Sequence, residues 1–217
     1  IHFFLFFFLI FSLLSYRYYI NGGTYFDLGS YLNKILRIEN GYFLEAIKGH
    51  FSPILIIISI FTKIISIDFK PYTLFILQSI CLAFPLLIIK EKYKLIYFFS
   101  PIIWSASQFD FHIDTLGIPF LFLFFYSRDT IHKFFYAIIL CLIKEIFIFI
   151  LLTGSVYFLF VKQKKNFYFI FLLILFFFTL FIIVNYNIIT HEIIEPNRLL
   201  HSQNFKINNI FKFFHFK

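Results

Sequence analysis

A lysine and a glutamate stand side by side at Lys144 and Glu145, inside an apolar run over residues 134–160. Ions in such surroundings are costly unless they are paired or hydrated. As sequence neighbours they point in different directions on a helix, so each is expected to have its own partner. The pair therefore indicates a ligand-binding site, with a purely structural ion network as the alternative.

A second group of polar residues is the segment FDFHID, residues 109–114. When extended, Asp110, His112 and Asp114 share a face, whereas on a helix only the two aspartates do. Two carboxylates and an imidazole could hold a divalent metal. The spacing is a weak signal, so we predict no metal ligand and leave a divalent cation open as a cofactor. A solvated hairpin tip is the alternative.

Two further candidates precede apolar segments. Asp27 stands before an amphipathic stretch, where it could cap the helix N-terminus, act as a base, or do both. His50 precedes Phe51, Ser52 and Pro53 at the start of an apolar run, as an interfacial or a functional histidine.

The composition excludes a soluble domain. Of 217 residues, 61% are hydrophobic and 14% charged, against about half and about a quarter in ordinary globular chains. The lipid bilayer is the predicted partner. The net charge of +8 comes from short basic clusters between apolar runs, so nucleic-acid binding is not predicted. Cys81 and Cys141 lie in apolar runs and predict neither a disulfide nor a metal site. The chain contains no Met, which predicts a fragment that begins downstream of its true start.

The basic clusters predict a topology. They lie at Lys90–Lys94, Arg128–Lys133 and Lys162–Lys165, which the positive-inside rule places in the cytoplasm. An even number of crossings must then separate consecutive clusters. Residues 95–126 become a hairpin with its outer apex near 108–114. Residues 134–160 are too many for one crossing and too few for two, which predicts two short helices meeting at Lys144 and Glu145.

The same count makes residues 16–71 an external loop and 185–217 an external tail of a single transmembrane domain, 1–217. In the loop, apolar residues recur with helical spacing, which predicts an interfacial amphipathic helix; they are Leu28, Tyr31, Leu32, Ile35 and Leu36. Residues 53–67 are predicted to form a second helix in the outer leaflet. All seven polar candidates then face outward.

An ordered series of short motifs carries a resemblance: YFDLG (25–29), GHFSP (49–53), LQS (77–79), SP (100–101), FDFH (109–112) and KE (144–145). Over about residues 1–160 the chain resembles a family of bacterial and archaeal multi-pass membrane proteins, catalogued as a domain of unknown function. That family is grouped with the GT-C glycosyltransferases. The resemblance implies an all-α polytopic membrane bundle like the GT-C conserved module, with interfacial helices in the first external loop, in a prokaryotic cytoplasmic membrane.

The resemblance also implies roles for particular residues. Asp27 matches the acidic residue of the first external loop that acts on the acceptor or organises the site, and Asp110 or Asp114 matches a second acidic residue. Lys144 matches a lysine at the outer end of a later helix. We therefore expect Asp27 to be catalytic and six residues to bind substrate: His50, Asp110, His112, Asp114, Lys144 and Glu145. The chain has YFDLG where characterised transferases commonly have an Asp-Glu pair.

The resulting hypothesis is an outward-facing transferase that takes a sugar from a polyprenyl-phosphate carrier. A transporter or flippase using Lys144 and Glu145, and a non-catalytic membrane scaffold, are the alternatives. A transporter needs a polar path that continues towards the cytoplasm. The inner halves of the predicted helices are almost wholly apolar, which favours the transferase over the transporter but does not separate it from a scaffold.

Overall fold

A computed structural model describes residues 1–20, 26–46, 50–108, 110–160 and 164–194. Within these ranges all regular structure is helical, which confirms the all-α prediction. The α-helices are α1 (His2–Ile20), α2 (Phe26–Glu39), α3 (Ile54–Thr62), α4 (Lys70–Ala83), α5 (Pro85–Ile88), α6 (Glu91–Phe98), α7 (Pro101–Gln108), α8 (Gly117–Tyr126), α9 (Thr130–Ile143), α10 (Ile146–Phe160) and α11 (Lys164–Ile194). Short 3-10 helices cover Phe43–Ala46, Ile67–Phe69 and Ile113–Leu116.

Three helical segments in the described part are long and apolar enough to cross a membrane: His2–Ile20, Ile67–Ile88 and Asn166–Asn185. Three shorter apolar helices accompany them, over Ile113–Tyr126, Thr130–Ile143 and Ile146–Phe158. Large apolar side chains on their outer faces are exposed, as the membrane prediction requires. These features support membrane association. The predicted tail largely lies outside the described residues, although α11 continues to Ile194.

Contacts between aromatic rings fix the directions of the first helices. The ring of Tyr19, at the end of α1, lies 5.7 Å from that of Phe75 near the start of α4. At the other end Phe7 packs in one cluster with Leu86 of α5. The helices α1 and α4 are therefore antiparallel. The segment α6–α7 is parallel to α1, because Phe98 stacks on Phe7 at 3.8 Å and the carbonyl of Ser107 accepts a hydrogen bond from the hydroxyl of Ser15.

The helices α9 and α10 form a hairpin with its apex at Lys144 and Glu145. Near its base, the ammonium of Lys133 lies 4.4 Å from the ring centroid of Phe158. Lys144 itself is extended, with φ −165° and ψ 151°, which ends α9. The prediction of two short helices that meet at this pair is confirmed. The apex defines the site end of the bundle, and the opposite end, with Arg128 and Lys133, is called the basic end.

The amphipathic helix α2 lies across the site end. Its stripe is buried in the main core cluster with Phe111 and Leu140, so it packs on protein. Ile38 is buried where the sequence pattern favoured Leu36. The helix ends at Glu39, and the turn that follows contains Gly41, whose φ of +93° suits a residue without a Cβ atom. A buried ion pair between Glu39 and Lys70, not predicted from sequence, ties α2 to α4.

Candidate functional site

The site end gathers three acid–base pairs from four segments of the chain. The Nε2 of His112 lies 3.3 Å from Oδ2 of Asp27. Lys144 Nζ donates to Asp114 Oδ2 at 3.0 Å, and His50 Nδ1 lies 2.9 Å from Glu145 Oε1. Lys144 and Glu145 thus have separate partners, as their neighbouring positions predicted. These pairs include six of the seven candidates.

The seventh candidate, Asp110, positions the others. Its side chain is buried, and its Oδ2 accepts hydrogen bonds from the backbone N–H groups of Asp27 and Leu28 at 2.9 and 3.0 Å. Its Oδ1 accepts from the N–H of Phe111 at 2.8 Å. A carboxylate at a helix N-terminus satisfies free N–H groups and favours the helix dipole. The cap of α2 is therefore Asp110, and the side chain of Asp27, in the first helical turn, pairs with His112.

Sequence reasoning missed the role of Gln78, which lies within the LQS motif. Its buried side chain accepts from the N–H of His112 at 2.9 Å and donates to the carbonyl of Ala106 at 3.1 Å. These bonds hold the backbone shortly before the FDFH segment and at its last residue. A lone amide in the middle of an apolar helix was the available signal, because such a group needs partners when it is buried.

The Asp27–His112 pair can do acid–base chemistry. The two side chains keep 40% and 34% of their surface exposed, so a substrate hydroxyl can reach them. A carboxylate beside an imidazole can accept a proton and pass it on, whichever ring nitrogen carries the hydrogen at the start. The pair is therefore chemically able to act as a base, the role that the sequence predicted for Asp27.

The Lys144–Asp114 pair has unused hydrogen-bonding capacity. Oδ1 of Asp114 and Oε2 of Glu145 are buried and accept no hydrogen bond from the described residues. An ammonium has three donors, of which the bond to Asp114 uses one. Buried acceptors without partners are rare in folded proteins, and they mark places where a ligand or water completes the arrangement.

The pKa of Tyr31 reflects the charges near it. Burial raises its pKa, and the negative charges of Asp114, Asp27 and Glu145 raise it further. Three carboxylates from distant segments therefore lie close enough to act on one phenol. The tyrosine ring also packs edge-on against Phe111 at 5.7 Å. Tyr31, in the apolar stripe of α2, thus belongs to the site as well as to the core.

The side chains of the FDFHID segment do not converge on one point. Asp110 is bound to α2, His112 faces Asp27, and Asp114 faces Lys144. Among the residues that the structure describes, no group of three or more His, Cys, Asp or Glu side chains is placed to hold a metal ion.

No protein-family model matches the chain, and neither a curated protein nor a solved structure matches it significantly.

Proposed function

We propose that the protein is a GT-C-like membrane glycosyltransferase that moves a sugar from a polyprenyl-phosphate carrier to an acceptor hydroxyl. The observation that carries this proposal is the meeting of an exposed carboxylate–imidazole pair and a lysine at one end of an apolar bundle. Residues 112 to 114 join the two, because His112 pairs with Asp27 and Asp114 with Lys144.

In the proposed reaction Asp27 is the base. The acceptor oxygen attacks the anomeric carbon of the sugar, and its proton passes to the carboxylate of Asp27, with His112 holding that carboxylate and relaying the proton. The bond from the anomeric carbon to the phosphate oxygen breaks, and its electron pair leaves with the polyprenyl phosphate. These steps balance with the donor and the acceptor as the two substrates, and they need no oxidant.

Lys144 supplies the charge that the leaving phosphate needs. Its ammonium can bond to a phosphate oxygen while it keeps the bond to Asp114, since it has three donors. The site otherwise carries the carboxylates of Asp27, Asp110, Asp114 and Glu145. We therefore place the donor phosphate beside Lys144 and the two histidines, where N–H groups can donate to its oxygens.

The length of the hairpin supports a lipid-linked donor. Helices α9 and α10 have 14 and 15 residues, or about 21 to 23 Å at a rise of about 1.5 Å per residue. The hydrocarbon layer is about 30 Å thick. With the basic end at the cytoplasmic surface, Lys144 lies below the outer surface, where it can meet the phosphate of a lipid carrier.

A transporter has less support. Next to the site end, helices α9 and α10 bury apolar side chains, with Leu140 and Leu151 fully buried and Phe147 nearly so. A transported ion or head group would have to pass these packed side chains. A scaffold would not need an exposed acid–base pair held in place by the buried side chains of Asp110 and Gln78.

Binding of a polyprenyl-phosphate analogue tests the proposal. Lys144→Gln should weaken binding far more than it lowers the melting temperature of the protein. The matched control is Lys70→Gln, which removes a lysine from the buried pair with Glu39 and should lower stability without changing the affinity of the folded protein. Equal losses of binding in the two variants would contradict the phosphate role and leave Lys144 as a structural ion.

A further inference from the structure

A separate cavity lies at the basic end of the bundle, away from the candidate site. It has a volume of about 490 Å³ and lies between the end of α8, the following turn, the start of α9 and the end of α10. Lys133 of its lining is 11 residues from Lys144 on α9, which corresponds to about 16 Å along the helix axis. The two sites therefore do not overlap.

The cavity contains a buried cation. Lys133 is 5% exposed, and its ammonium lies 4.4 Å from the ring centroid of Phe158. The positive-inside rule explains why a lysine lies here. It does not explain why this lysine is buried, because lysines in cytoplasmic loops are normally hydrated. A cation held beneath an aromatic ring at the edge of a cavity is stabilised when an anion enters.

A second cation also favours an anionic ligand, and the nearest acid in sequence is already bonded elsewhere. Arg128 is exposed and lines the cavity, where its guanidinium can bind phosphate oxygens in a bidentate manner. The nearest acid in sequence, Asp129, is engaged by the cap of α9: its carboxylate accepts from the N–H of Ile131 at 3.1 Å and lies 3.2 Å from His132.

The remaining walls are aromatic and continue onto the apolar surface. Phe125, Tyr126 and Tyr157 line the cavity and are 50%, 48% and 55% exposed. A free phosphate would leave these rings uncovered, whereas the acyl chains of a lipid would pack on them. We infer that this cavity binds the phosphate headgroup of an anionic glycerophospholipid, with Arg128 and Lys133 on the phosphate and the aromatic rings against the chains.

Native mass spectrometry of the full chain, released from phosphatidylcholine nanodiscs that contain phosphatidylglycerol, tests the inference. The double variant Arg128→Gln/Lys133→Gln should retain at least about tenfold less phosphatidylglycerol than wild type. The matched control is Lys90→Gln/Lys92→Gln, which removes the same charge from exposed lysines in another basic cluster and should leave retention unchanged. Equal losses in both variants would overturn the inference in favour of general surface charge.

Single variants and competition with inorganic phosphate complete the test. If the double variant does not fold, Arg128→Gln alone should reduce retention and Lys133→Arg should preserve it; no change in Arg128→Gln would overturn the inference. Inorganic phosphate at millimolar concentration should not displace the lipid. Displacement by phosphate would show that the cavity takes the free anion, which contradicts the lipid assignment.

Discussion

The carboxylate of Asp110 accepts the backbone N–H of Asp27 at 2.9 Å, although the two residues are 83 positions apart. Because His112 follows Asp110 by two residues and faces the side chain of Asp27, one buried carboxylate sets the geometry of the acid–base pair. A change at residue 110 should therefore alter both the start of α2 and the candidate site.

Replacing Asp110 tests this relationship. Asp110→Ala should lower the free energy of unfolding by about 1.5 to 3 kcal/mol, the usual contribution of hydrogen bonds to a charged group. Asp110→Asn keeps an acceptor oxygen and should cost less. Thermal unfolding of the two variants, with the exposed Asp68→Ala as control, measures the difference. An Asp110→Ala protein as stable as wild type would show that the cap is not needed.

A close helix contact predicts a second stability change. A Cβ atom built on Gly117 would lie 2.0 Å from Cζ of Phe147, whose side chain is buried. Gly117→Ala should therefore push α8 and α10 apart and cost about 1 to 3 kcal/mol. Gly29→Ala is the control, because nothing lies within 4 Å of its added Cβ and alanine favours a helix. Equal melting temperatures for the two variants would contradict the contact.

Much of the fold could be predicted from the sequence, because both burial in lipid and loop charge leave local patterns. The apolar runs over residues 1–15, 72–89 and 167–184 indicated the three long helices, and the charges at Lys144 and Glu145 indicated the break between α9 and α10. Helical spacing located α2, although its stripe covers the core of the protein. Helical spacing does not show whether an apolar stripe faces lipid or packs on protein, because that depends on the residues that contact it.

The partners within the site were harder to predict. Each acid–base pair joins residues at least 30 positions apart, so no local spacing reveals that Asp114 binds Lys144 or that His50 binds Glu145. For the same reason, the sequence did not show that Asp110, and not Asp27, caps α2. The ion pair of Glu39 with Lys70 was not foreseen, since each residue lies at the end of a helix where a solvated charge is ordinary.

The raised pKa of Tyr31 predicts a pH effect on stability. Its phenol stays neutral in the folded protein, while in the unfolded chain it ionises near the ordinary pKa of about 10. Its contribution is therefore complete below about pH 10 and is lost as the pH rises further. The melting temperature of Tyr31→Phe should fall less than that of wild type between about pH 9 and pH 11. Parallel decreases would contradict the buried phenol.

The proposed orientation can be measured with single cysteines. After replacement of Cys81 and Cys141, a cysteine at exposed Asn40 should react with an impermeant thiol reagent from outside the cell. A cysteine at exposed Lys92, at the basic end, should react only after the membrane is permeabilised. Labelling of Lys92 from outside would invert the orientation and place the candidate site in the cytoplasm.

The most direct test of the central claim is mass spectrometry of lipid-linked sugars in cells whose only copy of the protein carries Asp27→Asn. This variant keeps the shape of the side chain and removes the base. If Asp27 accepts the proton of the acceptor hydroxyl, a polyprenyl-phosphate sugar should accumulate relative to cells with the wild-type protein. An unchanged lipid-linked sugar profile, with the variant present at wild-type levels in the membrane, would contradict the transferase assignment.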